Sequence, residues 1–333
     1  MKRWMLMSYA AALSLAVASS AGAVGLPHYV GPGPIQDNFE YVAPPHIVYV
    51  NVDPAGPYDS GTRLLEAVDP SNLAPIGGWP KPDNRYLIVV RPGDYDLADR
   101  MLRLPPYVHI LGSGIGVTQI WSKGEVAIAA YGDSSIRSLS VIQQGSDVQY
   151  SLLLKFETKG PFLMEHVQVR NEWAKKAWGL YAEGGAENKV LLHDVRFDVT
   201  AYEQATGLEA HYKVSVEANG ATFNAVAERV AIGALLNTAK TGESYFVAST
   251  LAAKAKKPYV IVTEKNFDST VRIHASTLRG EKIFANLQGA GRVLVGTTEM
   301  TGPYYQSSGS TYVQCVHVFE HDFNDLGGCI WTP

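Results

Sequence analysis

The sequence has little cysteine, little net charge and, beyond its N-terminus, no long apolar run. Its 28 lysines and arginines against 32 aspartates and glutamates give a formal net charge of −4. This balance argues against nucleic acid or an anionic membrane as a partner, because either would favour a basic face. After residue 23 no stretch approaches the ~20 apolar residues that a membrane span needs, so we predict no span in the mature chain.

The chain also lacks the spaced motifs of common cofactor and metal sites. It has no histidine and cysteine cluster with zinc spacing, no EF-hand-like acidic loop and no Gly-Lys-Ser/Thr cradle for phosphate. The Gly112-x-Gly114 pair is not followed by the helix that a dinucleotide fingerprint requires. The nearest approach to a metal cluster is made by His317, His321, Asp322 and Asp325. The sequence as a whole therefore predicts no metal and no cofactor.

The two cysteines, Cys315 and Cys329, both lie near the C-terminus. In an exported chain an even pair predicts a disulfide, with two reduced thiols as the alternative. Such a bridge would close a loop of about 15 residues and contribute roughly 3 kcal/mol on the chain-entropy model. It would pin the last turn of the fold, where a repeat protein needs a cap.

The first residues have the features of an export signal. Lys2 and Arg3 precede an apolar run over 4–17 and a small-residue exit that ends at Ala23. We therefore predict a signal peptide over 1–23 that is cleaved after Ala23, with an uncleaved membrane anchor as the alternative. The mature protein is expected to be secreted or periplasmic.

The rest of the chain is expected to form one domain behind a linker. Residues 24–45 are rich in proline and glycine and predict an extended arm, followed by a single domain over 46–333. We expect a first strand over His46–Val52. A short capping helix should run from an N-cap at Asp59-Ser60 to about Val68, followed by a loop over 69–84.

A short pattern recurs between residues 133 and 300: a small or polar residue, an apolar or small one, a polar one and an apolar one. Its last members are Val141, Val169, Phe197, Phe223, Leu251, Leu278 and Met300. Spacings of 22 to 28 residues are typical of repeat folds. Short apolar and polar alternations predict half-buried strands, and no helical run separates them. The sequence therefore predicts an all-β parallel β-helix solenoid of about 8–10 coils, with an apolar ladder along its interior.

The opening of the domain resembles a known superfamily. The strand Tyr86–Val90 leads into a Pro-Gly-x-Tyr turn at 92–95, and a second strand ends in Gly-x-Gly at 112–114, before a Thr-x-Ile at 118–120. This succession is similar to the first coils of the pectin-lyase-like right-handed β-helix superfamily, especially secreted bacterial members related at this end to pectin methylesterases. The resemblance implies a right-handed coil.

The resemblance also implies an activity, that of a pectate or uronate lyase or a carbohydrate esterase. Pectin methylesterases carry an acidic residue two places after the turn tyrosine, where this chain has Leu97. Their catalytic segments, an Asp-Phe-x-Phe-Gly context and a Gly-Arg-Pro-Trp, have no counterpart here. No catalytic residue is therefore carried over, and fold similarity alone does not decide activity.

Coils 28 residues apart bring opposite charges together. They place Glu165 beneath His193, His166 beneath Asp194, and Arg170 beneath Asp198. A carboxylate beside a histidine suits general acid–base chemistry, and an arginine can stabilise a sugar carboxylate. The candidate catalytic residues are therefore His166, Asp194, Arg170 and Asp198. The alternative is a set of cross-strand ion pairs, which is favoured because alternation would put residues 165 and 166 on opposite faces.

Aromatic and basic residues collect in the expected connections between strands, above all over 171–178. Flat rings suit the faces of sugars, and connecting loops often form the binding face of a solenoid. The candidate ligand-binding residues are Trp173, Lys175, Lys176, Tyr202, Tyr304 and Tyr305; packing of the tryptophans over a coil end is the alternative. We interpret the protein as a non-catalytic β-helix that binds polysaccharide or a cell-surface glycan, with a polysaccharide-acting enzyme as the alternative and the oligomeric state open.

Overall fold

The computed structural model describes residues 46–145, 147–156, 160–184, 188–239, 243–302, 311–318 and 330–331. Over this range the chain winds into a right-handed parallel β-helix, which confirms the predicted fold. The described residues contain 25 strands, hydrogen-bonded into one continuous sheet, and two helices. The pairing of the last two strands is antiparallel, whereas successive coils pair in parallel.

The strands stack in three columns that run the length of the solenoid. The first column comprises β1 (His46–Val50), β2 (Tyr86–Val90), β5 (Val108–Leu111), the first parts of β8 (Ser134–Gln144) and β10 (Phe162–Gly184), β11 (Asn188–His193), β13 (Val214–Asn219), β16 (Ser244–Val247), β19 (Thr270–His274), β22 (Arg292–Gly296) and β24 (Tyr312–Val316). The second comprises β3 (Gly93–Asp96), β6 (Thr118–Ser122), the end of β8, the middle of β10, the start of β12 (Arg196–Tyr212), β14 (Thr222–Ala227), β17 (Thr250–Lys254), β20 (Thr277–Arg279) and β23 (Glu299–Thr301). The third comprises β4 (Leu102–Leu104), β7 (Val126–Ala130), β9 (Val148–Phe156), the ends of β10 and β12, β15 (Val230–Thr238), β18 (Lys257–Thr263) and β21 (Phe284–Leu287). A final strand, β25 (Ile330–Trp331), pairs with β24.

The apolar ladder that the repeat predicts lies inside the second column. Val169 pairs with Phe197, Phe197 with Phe223, and Phe223 with Leu251, and all four side chains are fully buried. The rings of Phe197 and Phe223 stack with centroids 5.2 Å apart and planes only 4° from parallel. In-register parallel strands place equivalent residues above one another, so each coil supplies one apolar rung to a continuous core.

A tight corner separates the first column from the second. It is formed by the first member of the repeat, whose φ lies between 48° and 67° in every coil from 138 onward. These residues are Ser138, His166, Asp194, Gly220, Ala248, Ala275, Thr297 and His317. Glycine adopts this left-handed region most easily, yet it occurs here only at Gly220. A small or polar residue at this place in the repeat therefore marks an exposed bend rather than part of a strand.

Two helices lie at the N-terminal end of the solenoid. The predicted capping helix is α1 (Pro57–Val68); it begins at an N-cap of Gly56 rather than at Asp59-Ser60, because Pro57 fits the first turn. It buries Leu64 and Val68 and packs so closely that a Cβ on Gly61 would lie 2.0 Å from the carbonyl oxygen of Asp96.

Two further details at this end differ from the prediction. The segment expected to be a loop contains a second helix, α2 (Pro70–Gly77), whose N-cap Asp69 accepts a hydrogen bond from the backbone N–H of Ser71. The first strand ends at Val50 rather than at Val52. Among the described residues, no helix is long and apolar enough to cross a membrane.

The C-terminal cysteines are described only in part. Cys315 is buried on β24, in the last coil of the first column. Cys329, like the export signal and the arm, lies outside the described residues, so the disulfide, the cleavage after Ala23 and the linker stay predictions.

Candidate functional site

The residues of the candidate acid–base pairs lie on neighbouring coils, where the 28-residue spacing puts them. Glu165 pairs in register with His193, and the Nε2 atom of His166 lies 3.4 Å from an Asp194 carboxylate oxygen. The His166 and Asp194 side chains are 57% and 67% exposed, at the corner between the first two columns. Such a solvated pair is held only weakly.

Two details of this region correct the sequence interpretation. Arg170 pairs in register with Asp198, yet Arg170 bonds Glu172 on its own strand, and Asp198 accepts from Nε of Arg196 at 2.7 Å. Residues 165 and 166 do not lie on opposite faces. Both reach solvent, because the corner at His166 interrupts the alternation.

The aromatic segment 171–178 is not a loop. It is the middle of the 23-residue strand β10, which bends at Trp173 (φ 67°) and shifts register between Asn171 and Lys176 as it passes into the third column. The bend leaves the Trp173 side chain 60% exposed. Tyr202 on β12, in the next coil, is 46% exposed, and the two rings lie 5.7 Å apart.

The two predicted lysines lie beyond this bend, whereas the last two aromatic candidates cannot be placed. Lys175 is exposed, and Lys176 is half-buried on the outer face of the third column, opposite Gln204. Tyr304 and Tyr305 lie outside the described residues.

The outer face of the third column carries further aromatic and acidic residues, of which the sequence patterns indicate Trp178 and His211 but not Tyr150, Tyr181 or Glu209. Trp178 stacks on Tyr150 of the preceding coil, with centroids 4.7 Å apart and planes 18° from parallel. Tyr181 meets Tyr150 edge-on at 5.6 Å and lies 5.3 Å from the ring of His211. We call this surface the aromatic band; it comprises Tyr150, Trp173, Lys176, Trp178, Tyr181, Tyr202, Glu209 and His211.

A glycine ladder sets the shape of the band. Gly179 and Leu180 are consecutive, and both face the core. Leu180 is fully buried, and a Cβ added to Gly179 would lie 3.0 Å from the ring of Phe197. Gly207 repeats the arrangement against Phe223 in the next coil. Two consecutive residues that face the core interrupt the alternation, so Trp178 and Tyr181 lie on one face, where both contact Tyr150.

Glu209 is the centre of a hydrogen-bond network that spans this bend. One carboxylate oxygen accepts from the Trp178 indole N–H at 2.6 Å, and the other lies 2.6 Å from Nε2 of His211. The Glu209 and His211 side chains are only 13% and 14% exposed. Charge-assisted hydrogen bonds of this kind fix both rings in orientation.

The network continues across the next two coils. Asn237 on β15 directs its Nδ2 group to Nδ1 of His211 at 3.3 Å and donates to an oxygen of Glu264 at 2.8 Å. The Asn237 side-chain oxygen Oδ1 is buried and has no hydrogen-bond partner among the described residues. On the opposite side of His211, the Tyr181 hydroxyl donates to Glu183 at 3.2 Å, and Lys155 lies 4.0 Å from Glu183.

The carboxylates shift the ionisation of their neighbours. Burial lowers the pKa of His211, but the hydrogen bond to Glu209 and the charges of Glu209, Glu264 and Glu183 outweigh it, so the pKa lies above its ordinary value. Burial and the charges of Glu183 and Glu209 raise the pKa of Tyr181. The phenol therefore stays protonated and can donate, but it does not act as a base near neutral pH.

A signal for this network was present in the sequence. Asn237 follows His211 by 26 residues and precedes Glu264 by 27, which are the spacings of the repeat. The pattern that revealed the repeat, however, belongs to the second column, and the bend at Gly179 disrupts the alternation that would assign Trp178 and Tyr181 to one face.

The described residues contain no group of three or more His, Cys, Asp or Glu side chains arranged to hold a metal ion. Of the C-terminal candidates, His317 lies at an exposed corner. The other three, His321, Asp322 and Asp325, fall outside the described range.

The fold and this surface define a parallel β-helix protein with an aromatic and acidic outer face. No family model and no curated protein matches the chain. Among solved structures it is similar to ORF18 of Geobacillus virus E2, at 10% identity and a TM-score of 0.42, over 84% of this chain and 63% of that one. It is similar to the A-module of the mannuronan C-5 epimerase AlgE6 of Azotobacter vinelandii at 12% identity and 0.38, over 82% and 92%. The catalytic domain of a GH87 alpha-1,3-glucanase, solved with tetrasaccharides, gives 10% and 0.40, over 82% and 58%. These values are too low to bear on activity.

Proposed function

We propose that the protein is an exported, non-catalytic β-helix that holds a polysaccharide chain along the aromatic band. The observation that carries this proposal is the pair of exposed rings, Trp173 and Tyr202, which lie side by side on neighbouring coils at one end of the band. Exposed aromatic rings with a polar edge are enriched at recognition surfaces, because they bury large apolar areas with little loss of side-chain freedom.

The length of the band suits an extended ligand. From Trp173 to Glu183 the strand spans roughly 30 Å at about 3.3 Å per residue. Lys176 lies near the end that carries the exposed rings, and the carboxylates of Glu183 and Glu209 lie at the other. A polymer laid along β10 would therefore meet flat rings first and hydrogen-bonding groups further along.

A second candidate function, a polysaccharide-acting enzyme, is favoured by one observation: the close contact of Glu209 with His211 beside Glu264. One feature of the site favours binding instead. Both Glu209 oxygens and both His211 ring nitrogens already have partners within the protein.

Retention on immobilised polysaccharides tests the proposal. The panel should contain a neutral β-glucan, polygalacturonate and chitosan, and we expect the wild-type protein to be retarded on at least one of them. The Trp173→Ala, Tyr202→Ala double variant should lose that retention. A matched control is the Trp79→Ala, Tyr58→Ala double variant, because Trp79 is 63% exposed and Tyr58 is 52% exposed at the N-terminal end of the molecule; it should bind like the wild type.

The same polysaccharides separate the binder from the enzyme. Formation of unsaturated products, or release of methanol or acetate, that disappears in a Glu209→Gln, His211→Gln, His166→Ala or Asp194→Ala protein would reject the non-catalytic role. Equal retention of the band variant and the control variant would reject the band as the binding surface.

A further inference from the structure

The most unusual group beside the aromatic band is the side chain of Asn237, because its amide nitrogen and its oxygen differ in the partners they have. Its Nδ2 group faces two acceptors, Nδ1 of His211 and a carboxylate oxygen of Glu264, and its two hydrogens satisfy both. Its oxygen is buried and has no hydrogen-bond partner in the described part of the chain. A buried polar atom without a partner is destabilising, so the rest of the arrangement must compensate.

This arrangement fits one protonation state of His211. With the proton on Nε2, the ring donates to Glu209 and offers the Nδ1 lone pair to Asn237. If Nδ1 also takes a proton, two donors face each other across 3.3 Å. A half-turn of the Asn237 amide removes that conflict, because its oxygen then accepts from Nδ1–H.

The half-turn has a consequence on the next coil. The amide oxygen of Asn237 would then face the Glu264 oxygen, which now accepts a hydrogen bond from the amide at 2.8 Å. Two acceptors at that separation repel each other, so the Glu264 carboxylate must turn outward. Protonation of His211 therefore releases the Glu264 carboxylate, which lies two coils away.

The groups that face His211 favour uptake of the proton. They are Glu209 and Tyr212 on its own strand, Tyr181 and Glu183 on β10, Asn237 on β15 and Glu264 after β18, with Lys155 bonded to Glu183. Three of them are carboxylates. Burial lowers the pKa of His211, but the hydrogen bond to Glu209 and the charges of these three carboxylates outweigh burial, so the pKa lies above its ordinary value.

We propose that His211, Asn237 and Glu264 form a proton-operated relay that controls how strongly the aromatic band holds a polysaccharide. The control of binding rests on the function proposed above, whereas the relay itself does not. When His211 is protonated, the acidic end of the band gains a positive charge. Asn237 then no longer holds the Glu264 carboxylate in place. Retention of an anionic polymer therefore rises as the pH falls through the His211 transition.

The relay is tested by NMR of the full-length protein labelled with ¹⁵N at histidine and at asparagine side chains. The His211→Gln and Asn237→Asp spectra assign the two groups. We expect neutral His211 to carry its proton on Nε2, and the Asn237 side-chain resonances to titrate with the same midpoint as the ring. Resonances of Asn237 that do not move with pH would overturn the relay.

Two variants and a control give the direction of the coupling. Asn237→Asp supplies a carboxylate to Nδ1–H and should raise the His211 midpoint by about one pH unit. Glu264→Gln removes a negative charge and should lower the His211 midpoint. Asn219→Asp adds a negative charge at an exposed position on the first column and should leave the midpoint unchanged. An unmoved midpoint in both relay variants would contradict the coupling.

Binding is measured separately, as retention on polygalacturonate between about pH 6 and about pH 8.5, a range that begins near the ordinary pKa of histidine and extends above it. We expect several-fold stronger retention at the acidic end for the wild type and no pH dependence for His211→Gln. Titrating resonances with pH-independent retention would overturn the control of binding. Titrating resonances without retention on any polymer would instead overturn the proposed function and leave the proton exchange in the relay standing.

Discussion

At the scale of single residues, small side chains at the corner between the first two columns have a structural role that their chemistry does not reveal. Ala248 and Ala275 have φ values of 48°, in a region where a Cβ atom is crowded by the backbone. Neither residue would attract notice by composition. Their equivalents in other coils are His166 and Asp194, so a pair that looks catalytic in the sequence occupies a position selected for a bend.

The first prediction concerns this corner. Ala248→Gly should raise the free energy of unfolding by roughly 0.5–1 kcal/mol, because relief of left-handed strain exceeds the entropy cost of the added glycine. Ala252→Gly, in the neighbouring strand β17, should lower it. Urea unfolding of the two variants measures the difference; a less stable Ala248→Gly protein would show that the corner is not strained.

A second residue-scale prediction follows from the raised pKa of His211. Because the folded pKa lies above the ~6.5 of an unfolded chain, the stabilisation by its carboxylate neighbours is complete below about pH 6.5 and is lost as the pH rises through the folded pKa. The stability advantage of the wild type over His211→Gln should therefore shrink between about pH 6 and about pH 9. Urea midpoints across that range test the sign, and an advantage that grows with pH would disprove the assignment.

At the scale of elements, the stability of the solenoid depends on the ladder in the second column. Phe223 contacts Phe197 in a stacked geometry and Phe246 edge-on, at 5.2 Å and 6.1 Å between centroids. Its burial is complete. Any change at this rung is felt by the coils on both sides.

The third prediction is therefore that Phe223→Asp abolishes soluble expression, since an unpaired charge would be buried in the ladder. Phe223→Ala should fold but lose about 3–5 kcal/mol, and Phe223→Leu should lose less, because a leucine already fills the next rung at 251. Soluble yield and thermal unfolding measure the series. A protease-resistant Phe223→Asp protein would place this residue outside the core.

The elements also show which parts of the structure the sequence could predict. The ladder was predictable because every coil repeats one apolar residue at nearly constant spacing. The third column was not, since β10 and β12 run from the second column into the third without a break, and Gly179 and Leu180 both face the core. Alternation alone assigns Trp178 and Tyr181 to opposite faces. Within the aromatic band, the sequence predicts Trp173, Lys176 and Tyr202 as ligand-binding candidates, but it does not predict the network around Glu209.

At the scale of the whole molecule, the two ends of the solenoid differ. The N-terminal end is covered by α1, whereas the last described coil ends with the buried Cys315 on β24. A solenoid needs protection at both ends, because its terminal coil has a neighbour on one side only. The predicted disulfide would supply that protection at the C-terminus.

The fourth prediction follows from this asymmetry. Reduction of the native protein should lower its thermal midpoint, in line with a contribution of roughly 3 kcal/mol from a bridged loop of about 15 residues. Mass spectrometry with and without reduction, after alkylation, shows whether Cys315 and Cys329 are joined. A Cys315→Ala, Cys329→Ala protein should be insensitive to reductant, and equal midpoints for oxidised and reduced wild type would argue against a stabilising bridge.

The in-register stacking of Val169, Phe197, Phe223 and Leu251 also governs which changes of length the chain can accept. Duplication or removal of a complete turn keeps every remaining side chain above an equivalent neighbour, so such an event merely makes the rod taller or shorter. A single residue added within a strand exchanges its inner and outer faces and exposes a whole rung. We therefore expect the chain to change its length during evolution by whole turns, with smaller insertions confined to the bends.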